Sequence, residues 1–499
     1  MPVSRRLGFL LAAAAGAILP LAFAPFGFFF VAPLSYAVIF YLWGGAAPGR
    51  AFALGFLYGF ASFLAGVHWV YVSVHDFGFL PVPISVLLTV ALPAALAVYI
   101  GAVGAIAARF FPTTGLAAWL AVFPALWVLA DWARGFLLSG FGWLAPGYSQ
   151  TDSWLMGFAP VLGVHGMSAA VLVCAGALAA LAAGRGRERV AAGAAVAALF
   201  GAGFALTHAR FTAPKAETLS VAVVQGAIEQ TLKWEPEELP KTFALYRDLT
   251  EASHGHDLII WPEAAIPDYF ERWRAPLEAV ARDAARAGSA LMLGILREHA
   301  PTGSFQNVLV AMTDPPSVYA KRHLVPFGEY YPVPAFAREW LRLMNLPSSD
   351  AAPGDPEQPP LAIAGESVAV TICYEDVFGA EQLHYMPDAT LLVNVSNDAW
   401  FGDSIAPHQH LQIARLRAAE VGRYMLRSTN TGVSAVIDPA GRVLGTLPQF
   451  VPGVLTETVR GYTGLTPYAR WGNYPVVLAA LLILAAQLAT TKFTMRPRT

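Results

Sequence analysis

Ser367-Val368-Ala369-Val370-Thr371-Ile372-Cys373-Tyr374-Glu375-Asp376 is an apolar run that ends in a thiol and then turns acidic. A short run of this kind reads as a buried strand, with Cys373 at its end. Two other runs close the same way. Ile259-Ile260-Trp261-Pro262-Glu263 leads to a carboxylate, and Val318-Tyr319-Ala320-Lys321 leads to an amine. A carboxylate, an amine and a thiol at three strand ends can converge at one rim of a sheet.

Outward from these runs, further strands are predicted at residues 219–225, 257–261, 290–296, 307–312, 368–372, 391–395 and 433–437. They alternate with helical stretches at 274–287 and 408–426, and a Pro- and Gly-rich connection spans 347–360. Such alternation predicts an α/β domain around a largely buried sheet.

The rest of the chain is of another kind. Of 499 residues, 56% are hydrophobic and 13% charged, against roughly 25% charged in soluble domains. Residues 1–207 hold only Arg5, Arg6, Arg50, Asp76, Arg109, Asp131, Arg134, Asp152, Arg185, Arg187, Glu188 and Arg189 as charged side chains, and the first lysine is Lys215. A bilayer span needs about 20 mostly apolar residues. Candidates are 7–23, 26–44, 51–71, 83–107, 115–130, 156–183, 190–207 and 474–490. The first resembles a signal peptide up to Ala22-Phe23-Ala24, but Pro25 disfavours cleavage there, so it reads as a retained helix.

Arginines set the orientation. With the N-terminus inside, Arg5, Arg6, Arg50, Arg109, Arg185, Arg187 and Arg189 fall on the inner side with Lys492, Arg496 and Arg498, and the outer loops keep Arg134. The expected organisation is a seven-helix transmembrane domain (1–207), an extracytoplasmic domain (208–473), and a last span with an inner tail (474–499).

A net charge of −2 gives no basic footprint for nucleic acid. His254/His256 and His408/His410 lack a cysteine or third ligand nearby, so neither metal nor cofactor is expected. Cys174, the other cysteine, lies midway in a predicted span, which leaves Cys373 without a disulfide partner.

A free thiol has a pKa of about 8.5 and needs a base or a cation to act at neutral pH. Glu263 is placed to take its proton, and Lys321 to stabilise the oxyanion of a tetrahedral intermediate. Attack on an ester would leave a thioester, ready for transfer to an amine.

Taken together, Trp261-Pro262-Glu263, Lys321 with His323-Leu324-Val325-Pro326-Phe327-Gly328-Glu329, and Ile372-Cys373-Tyr374-Glu375 resemble the Glu-Lys-Cys signature of the nitrilase (carbon-nitrogen hydrolase) superfamily. Within it, the chain is similar to the apolipoprotein N-acyltransferases of bacterial envelopes. The likeness includes Ser396-Asn397-Asp398-Ala399-Trp400-Phe401-Gly402, Arg427-Ser428-Thr429-Asn430, Gly464-Leu465-Thr466-Pro467-Tyr468-Ala469-Arg470 and, in the apolar part, Gly147-Tyr148-Ser149-Gln150.

The resemblance implies an α-β-β-α sandwich on eight helices of the inner membrane, working at the periplasmic face. It implies transfer of an acyl chain from a phospholipid, typically phosphatidylethanolamine, to the N-terminal diacylglyceryl-cysteine of an apolipoprotein. It makes Cys373 the nucleophile, Glu263 the base and Lys321 the oxyanion stabiliser. Glu329 would support Lys321 and Glu263, Tyr374 and Glu375 would flank the nucleophile, and Trp234 would lie near the substrate.

Extracting an acyl chain of about sixteen carbons into water would cost more than about 10 kcal/mol, so the site is expected to open toward lipid. Residues 334–344 place Phe336, Trp340, Leu343 and Met344 at helical spacing. Such a segment either dips into the interface as a lid, where Phe336 and Trp340 are expected to bind substrate, or packs as a helix on the domain's own core. The competing readings are a membrane-anchored amidase using the same triad on a small amide, and a transporter with an exterior regulatory domain. Against the transporter, ionisable residues are almost absent from the spans.

Overall fold

A computed structural model describes residues 4–300, 303–330 and 351–494. The chain divides into two compact units. The first comprises Met1–Arg210, Asp403–Leu416 and Thr466–Thr499; the second comprises Phe211–Gly402 and Arg417–Leu465.

Apolar helices build the first unit. Among the described residues, Arg5–Ala22, Pro48–Gly66, Val82–Phe110, Trp154–Ala183 and Arg187–Thr207 are long and apolar enough to cross a membrane, and Val31–Trp43 and Tyr474–Thr490 are shorter apolar helices. Residues 115–130, expected as one span, fall in a stretch that is helical without a break from 116 to 134, with a π-helical turn at Ala118–Val122 leading directly into the helix Phe123–Arg134. That helix ends in a buried ion pair, Arg134 Nη2 to Asp131 Oδ1 at 2.5 Å. Arg134 Nη1 also donates to the carbonyls of Phe141 (2.6 Å) and Trp143 (2.7 Å), which satisfies the buried cation. Tyr36, Phe40, Trp43 and Trp127 form an aromatic core beside it. Outward faces stay apolar: Leu10, Leu87 and Leu482 are all exposed. Helices that are apolar even where unpacked suit lipid rather than water.

In the second unit, a seven-stranded sheet runs in spatial order Gly453–Val459, Leu219–Gln225, Leu258–Ile260, Ala290–His299, Ser304–Ala311 and Ser317–Ala320, with Ile266–Tyr269 paired to Ala290–His299. A six-stranded sheet runs Val443–Thr446, Ala435–Ile437, Met425–Thr429, Leu391–Ser396, Glu366–Ile372 and Leu361–Ile363. The central strands of both are parallel and almost wholly buried, as expected for strands covered on both faces. The two sheets meet where Ser428 Oγ donates to the Val224 carbonyl (2.7 Å) and Ser434 Oγ to Gln225 Oε1 (2.7 Å). On the outer side of the first sheet, Tyr246, Phe270, Leu277 and Val280 from the helices Leu239–Glu251 and Phe270–Arg286 pack on Ile259, Trp261 and Leu291.

One expectation needs correction. The predicted helix at 408–426 stops at Val421, and Met425–Thr429 is a strand. Gly422 takes φ +63°, a left-handed turn that ends the helix at little cost for glycine. The chain then enters the six-stranded sheet beside Leu391–Ser396.

Candidate active site

Each parallel strand ends by presenting a polar residue at its carboxyl end, where α/β sheets place their ligand sites. Strand Leu258–Ile260 leads into Glu263, Glu366–Ile372 into Cys373, Leu391–Ser396 into Asn397, and Met425–Thr429 into Asn430. Lys321 follows the strand Ser317–Ala320.

Glu263 is 5% exposed, and its carboxylate is fixed by three donors. Oε1 accepts from Asn307 Nδ2 (2.6 Å) and Lys321 Nζ (3.4 Å), and Oε2 accepts from the Asn397 backbone N–H (2.6 Å). Asn307 also receives the Lys321 backbone N–H on its carbonyl (2.8 Å), so one residue sets both base and cation. The Lys321 ammonium is buried and bridges to Glu329 Oε1 (2.7 Å). Burial opposes its charge, but Glu329, Glu263 and Cys373 outweigh that and hold its pKa above the ordinary lysine value. Glu329 Oε2 accepts the Val325 N–H (2.7 Å), closing the loop that carries both residues.

Cys373 adopts φ +53° at the start of a 3₁₀ turn, Cys373–Val377. Ala227, Ala264 and Phe327 also have positive φ; Ala227 lies in the loop before the helix Gln230–Lys233, and the other two lie in the loops that carry Glu263 and Lys321. Left-handed conformations at residues other than glycine cost free energy and cluster at functional sites. Burial and the Glu263 carboxylate push the Cys373 thiol well above its ordinary pKa, against the pull of Lys321 and a hydrogen bond with Ser396. At neutral pH it is a thiol beside a fixed carboxylate and a permanent cation.

Glu375 lies between two loops. Its carboxylate accepts the N–H groups of Ile372 (2.7 Å), Arg322 (2.7 Å) and His323 (3.1 Å) and the Tyr319 hydroxyl (3.0 Å). It thus ties the strand end before Cys373 to the segment after Lys321. Burial pushes its pKa above the ordinary carboxylate value, against the pull of those donors. Tyr374 is buried, its ring edge-on to Phe378 and His323. Trp234 follows the short helix Gln230–Lys233 and is 46% exposed. Phe336, Trp340 and the whole segment 334–344 lie outside the described residues.

Residues that the sequence reading did not single out complete the cluster. Asn397 and Asn307 hold Glu263. Gln230 Oε1 accepts from Asn397 Nδ2 (3.0 Å), and Asn430 Nδ2 donates to Asn397 Oδ1 (3.1 Å). Lys233 is 1% exposed, with Nζ donating to the Glu263 carbonyl (3.1 Å). Asn397 lies in a motif that carries the family resemblance, and Asn307 opens an apolar run expected as a strand; Lys233 gave no signal, because nothing local marks it as buried.

Comparison with known proteins matches both parts of the chain to families. Residues 15–177 match the apolipoprotein N-acyltransferase N-terminal domain family, and residues 220–468 the carbon-nitrogen hydrolase family. The apolipoprotein N-acyltransferase of Methylococcus capsulatus is 43% identical over 474 residues, covering 94% of this chain and 93% of the relative. That of Nitrosomonas europaea is 43% identical over 477 residues, covering 94% of each. Among solved structures, a CN-hydrolase superfamily protein from Xanthomonas campestris overlaps 52% of this chain and 97% of its own, at 22% identity and a TM-score of 0.36. The chain belongs to the apolipoprotein N-acyltransferase family.

Proposed function

We propose that this chain moves an acyl chain from a phospholipid, through a thioester on Cys373, to the α-amino group of the N-terminal diacylglyceryl-cysteine of an apolipoprotein. Phosphatidylethanolamine is the proposed donor. The proposed setting is the bacterial inner membrane, with eight spans and residues 208–473 on the periplasmic side. Apolar helices and the arginine distribution support that setting.

One observation carries the chemistry: the buried Glu263–Lys321 ion pair, whose two charges both act on the Cys373 thiol. In the first half-reaction Glu263 takes the Sγ proton as sulfur attacks the ester carbonyl. The oxyanion forms against Lys321, whose charge is permanent and already oriented, so little reorganisation opposes it. Collapse breaks the ester C–O bond, and Glu263 returns the proton to the leaving lysophospholipid oxygen. In the second half-reaction the acceptor amine attacks the thioester carbonyl. Its proton passes to Glu263 and on to the departing sulfur, giving an amide and the resting thiol. Glu329 keeps Lys321 oriented, Glu375 holds the nucleophile's turn, and half-exposed Trp234 offers an apolar surface at the rim.

The test is to incubate the purified full chain in phospholipid vesicles with acyl-labelled phosphatidylethanolamine and a diacylated lipopeptide bearing a free amine. Label should appear in amide linkage on the lipopeptide, faster than from phosphatidylglycerol. Label released only as free fatty acid, or ammonia released from small amides, would overturn the reading.

A further inference from the structure

We propose that Lys233 is a positioning residue for this reaction, holding the Glu263 segment while adding a second positive charge beside the reacting sulfur; this rests on the function proposed above. The side chain is 1% exposed, and its ammonium donates to a backbone carbonyl, that of Glu263, at 3.1 Å. Among the described residues no carboxylate forms an ion pair with it. Taking an ammonium out of water for one neutral hydrogen bond is costly. A loop tie alone could be made by a neutral side chain, so the charge itself calls for a use.

Two features supply one. First, Lys233 is close enough for the charges of Glu263 and Cys373 to act on it: burial lowers its pKa to about 8, and those two groups oppose the fall. Glu263 and Asp398 both disfavour an anion on Cys373, whereas Lys321 favours one. Asp398 is itself paired to Arg427 at 2.9 Å, and Glu329 to Lys321 at 2.7 Å. A second cation offsets the carboxylates when negative charge develops on sulfur and then on the carbonyl oxygen. Second, the helix Gln230–Lys233 holds the base from both sides. Lys233 binds the Glu263 carbonyl, and Gln230 binds the side chain of Asn397, whose N–H binds the Glu263 carboxylate at 2.6 Å. Asn430 anchors the preceding loop through Ile228, accepting its N–H at 2.9 Å and donating to its carbonyl at 2.8 Å. Trp234, the next residue, is half exposed, so a lipid pressing on it acts on an element hydrogen-bonded to the segment of the base.

The experiment follows single-turnover acylation of Cys373 by labelled phospholipid, without acceptor, in wild type, Lys233→Met and Lys233→Arg, from about pH 6 to about pH 10. Lys233→Met should slow acylation by at least about tenfold with little change in KM, short of the roughly hundredfold or more expected for a direct oxyanion donor. Lys233→Arg should recover most of the rate. Arginine keeps its charge where lysine loses it, so the ratio of wild-type to Lys233→Arg rates should fall as pH rises through about 8. Wild-type acylation by Lys233→Met, or a loss that is the same at every pH and that arginine does not rescue, would overturn the proposal. If Lys233→Met does not fold, a pH-independent ratio between wild type and Lys233→Arg overturns it equally. Absence of any acyl-enzyme in the wild type would instead remove the underlying function.

Discussion

Cys373 is set up as a thiol that ionises only when it reacts. Burial and Glu263 hold its pKa well above the ordinary value, so the thiolate is scarce at neutral pH and grows as pH rises. In a Cys174→Ala background, alkylation of Cys373 by iodoacetamide should accelerate by up to about tenfold per pH unit between about pH 6 and about pH 9. A plateau near neutrality, read by mass spectrometry, would show a thiolate formed in advance. Lys321 contributes no change over that range. Its folded pKa is raised, so its stabilising charge is fully present below the unfolded value of about 10.4 and is lost only as pH rises through the folded value. Lys321→Met should therefore act at every pH in the range. It leaves Glu263 and Glu329 without their buried partner, which should cost about 3–5 kcal/mol, visible as a lowered midpoint in thermal unfolding of the detergent-solubilised protein.

At the scale of elements, the site depends on how closely strands approach the loops beside them. Gly294, in the strand Ala290–His299, lies against the Glu263 segment: a Cβ there would meet Pro262 O and come within 2.7 Å of Glu263 Cα and 2.9 Å of Ala264 N. All three are backbone atoms, which cannot swing aside. Gly294→Ala should displace the base and lower kcat by at least about tenfold while leaving the circular dichroism spectrum unchanged. Wild-type turnover would show that the segment yields. What was legible in the sequence follows the same division. The ends of apolar strands located Glu263, Lys321 and Cys373, because a short apolar run and its polar terminus are local properties. Asn307 and Asn397 act through contacts between residues 44 and 134 positions apart, and no local pattern reports those. The helix expected at 408–426 ran too far because apolar spacing continues past Gly422. Pairing with Leu391–Ser396 decides instead that Met425–Thr429 is a strand.

For the whole molecule, charge distribution divides the chain more clearly than hydropathy does. Twelve charged residues mark the first 207, and most of the arginines among them are expected on one side of the membrane. Window averages of hydropathy do not report what lies within a helix: the stretch that ends as Phe123–Arg134 contains a π-helical turn and closes on a buried ion pair. Sidedness can be read by labelling in a Cys174→Ala, Cys373→Ala background. Glu217→Cys should react with a membrane-impermeant maleimide in intact spheroplasts, and Arg187→Cys only after lysis. The reverse pattern would place the catalytic domain in the cytoplasm.

The central claim is that one thiol carries the acyl chain between two lipids. Purified protein in vesicles of labelled phospholipid, with no acceptor, should gain the mass of one acyl chain on the peptide containing Cys373. Adding a diacylated lipopeptide should discharge that adduct at the rate at which N-acylated product appears, and Cys373→Ala should show neither event. N-acylated product formed by Cys373→Ala, or an adduct that persists while product accumulates, would contradict the account.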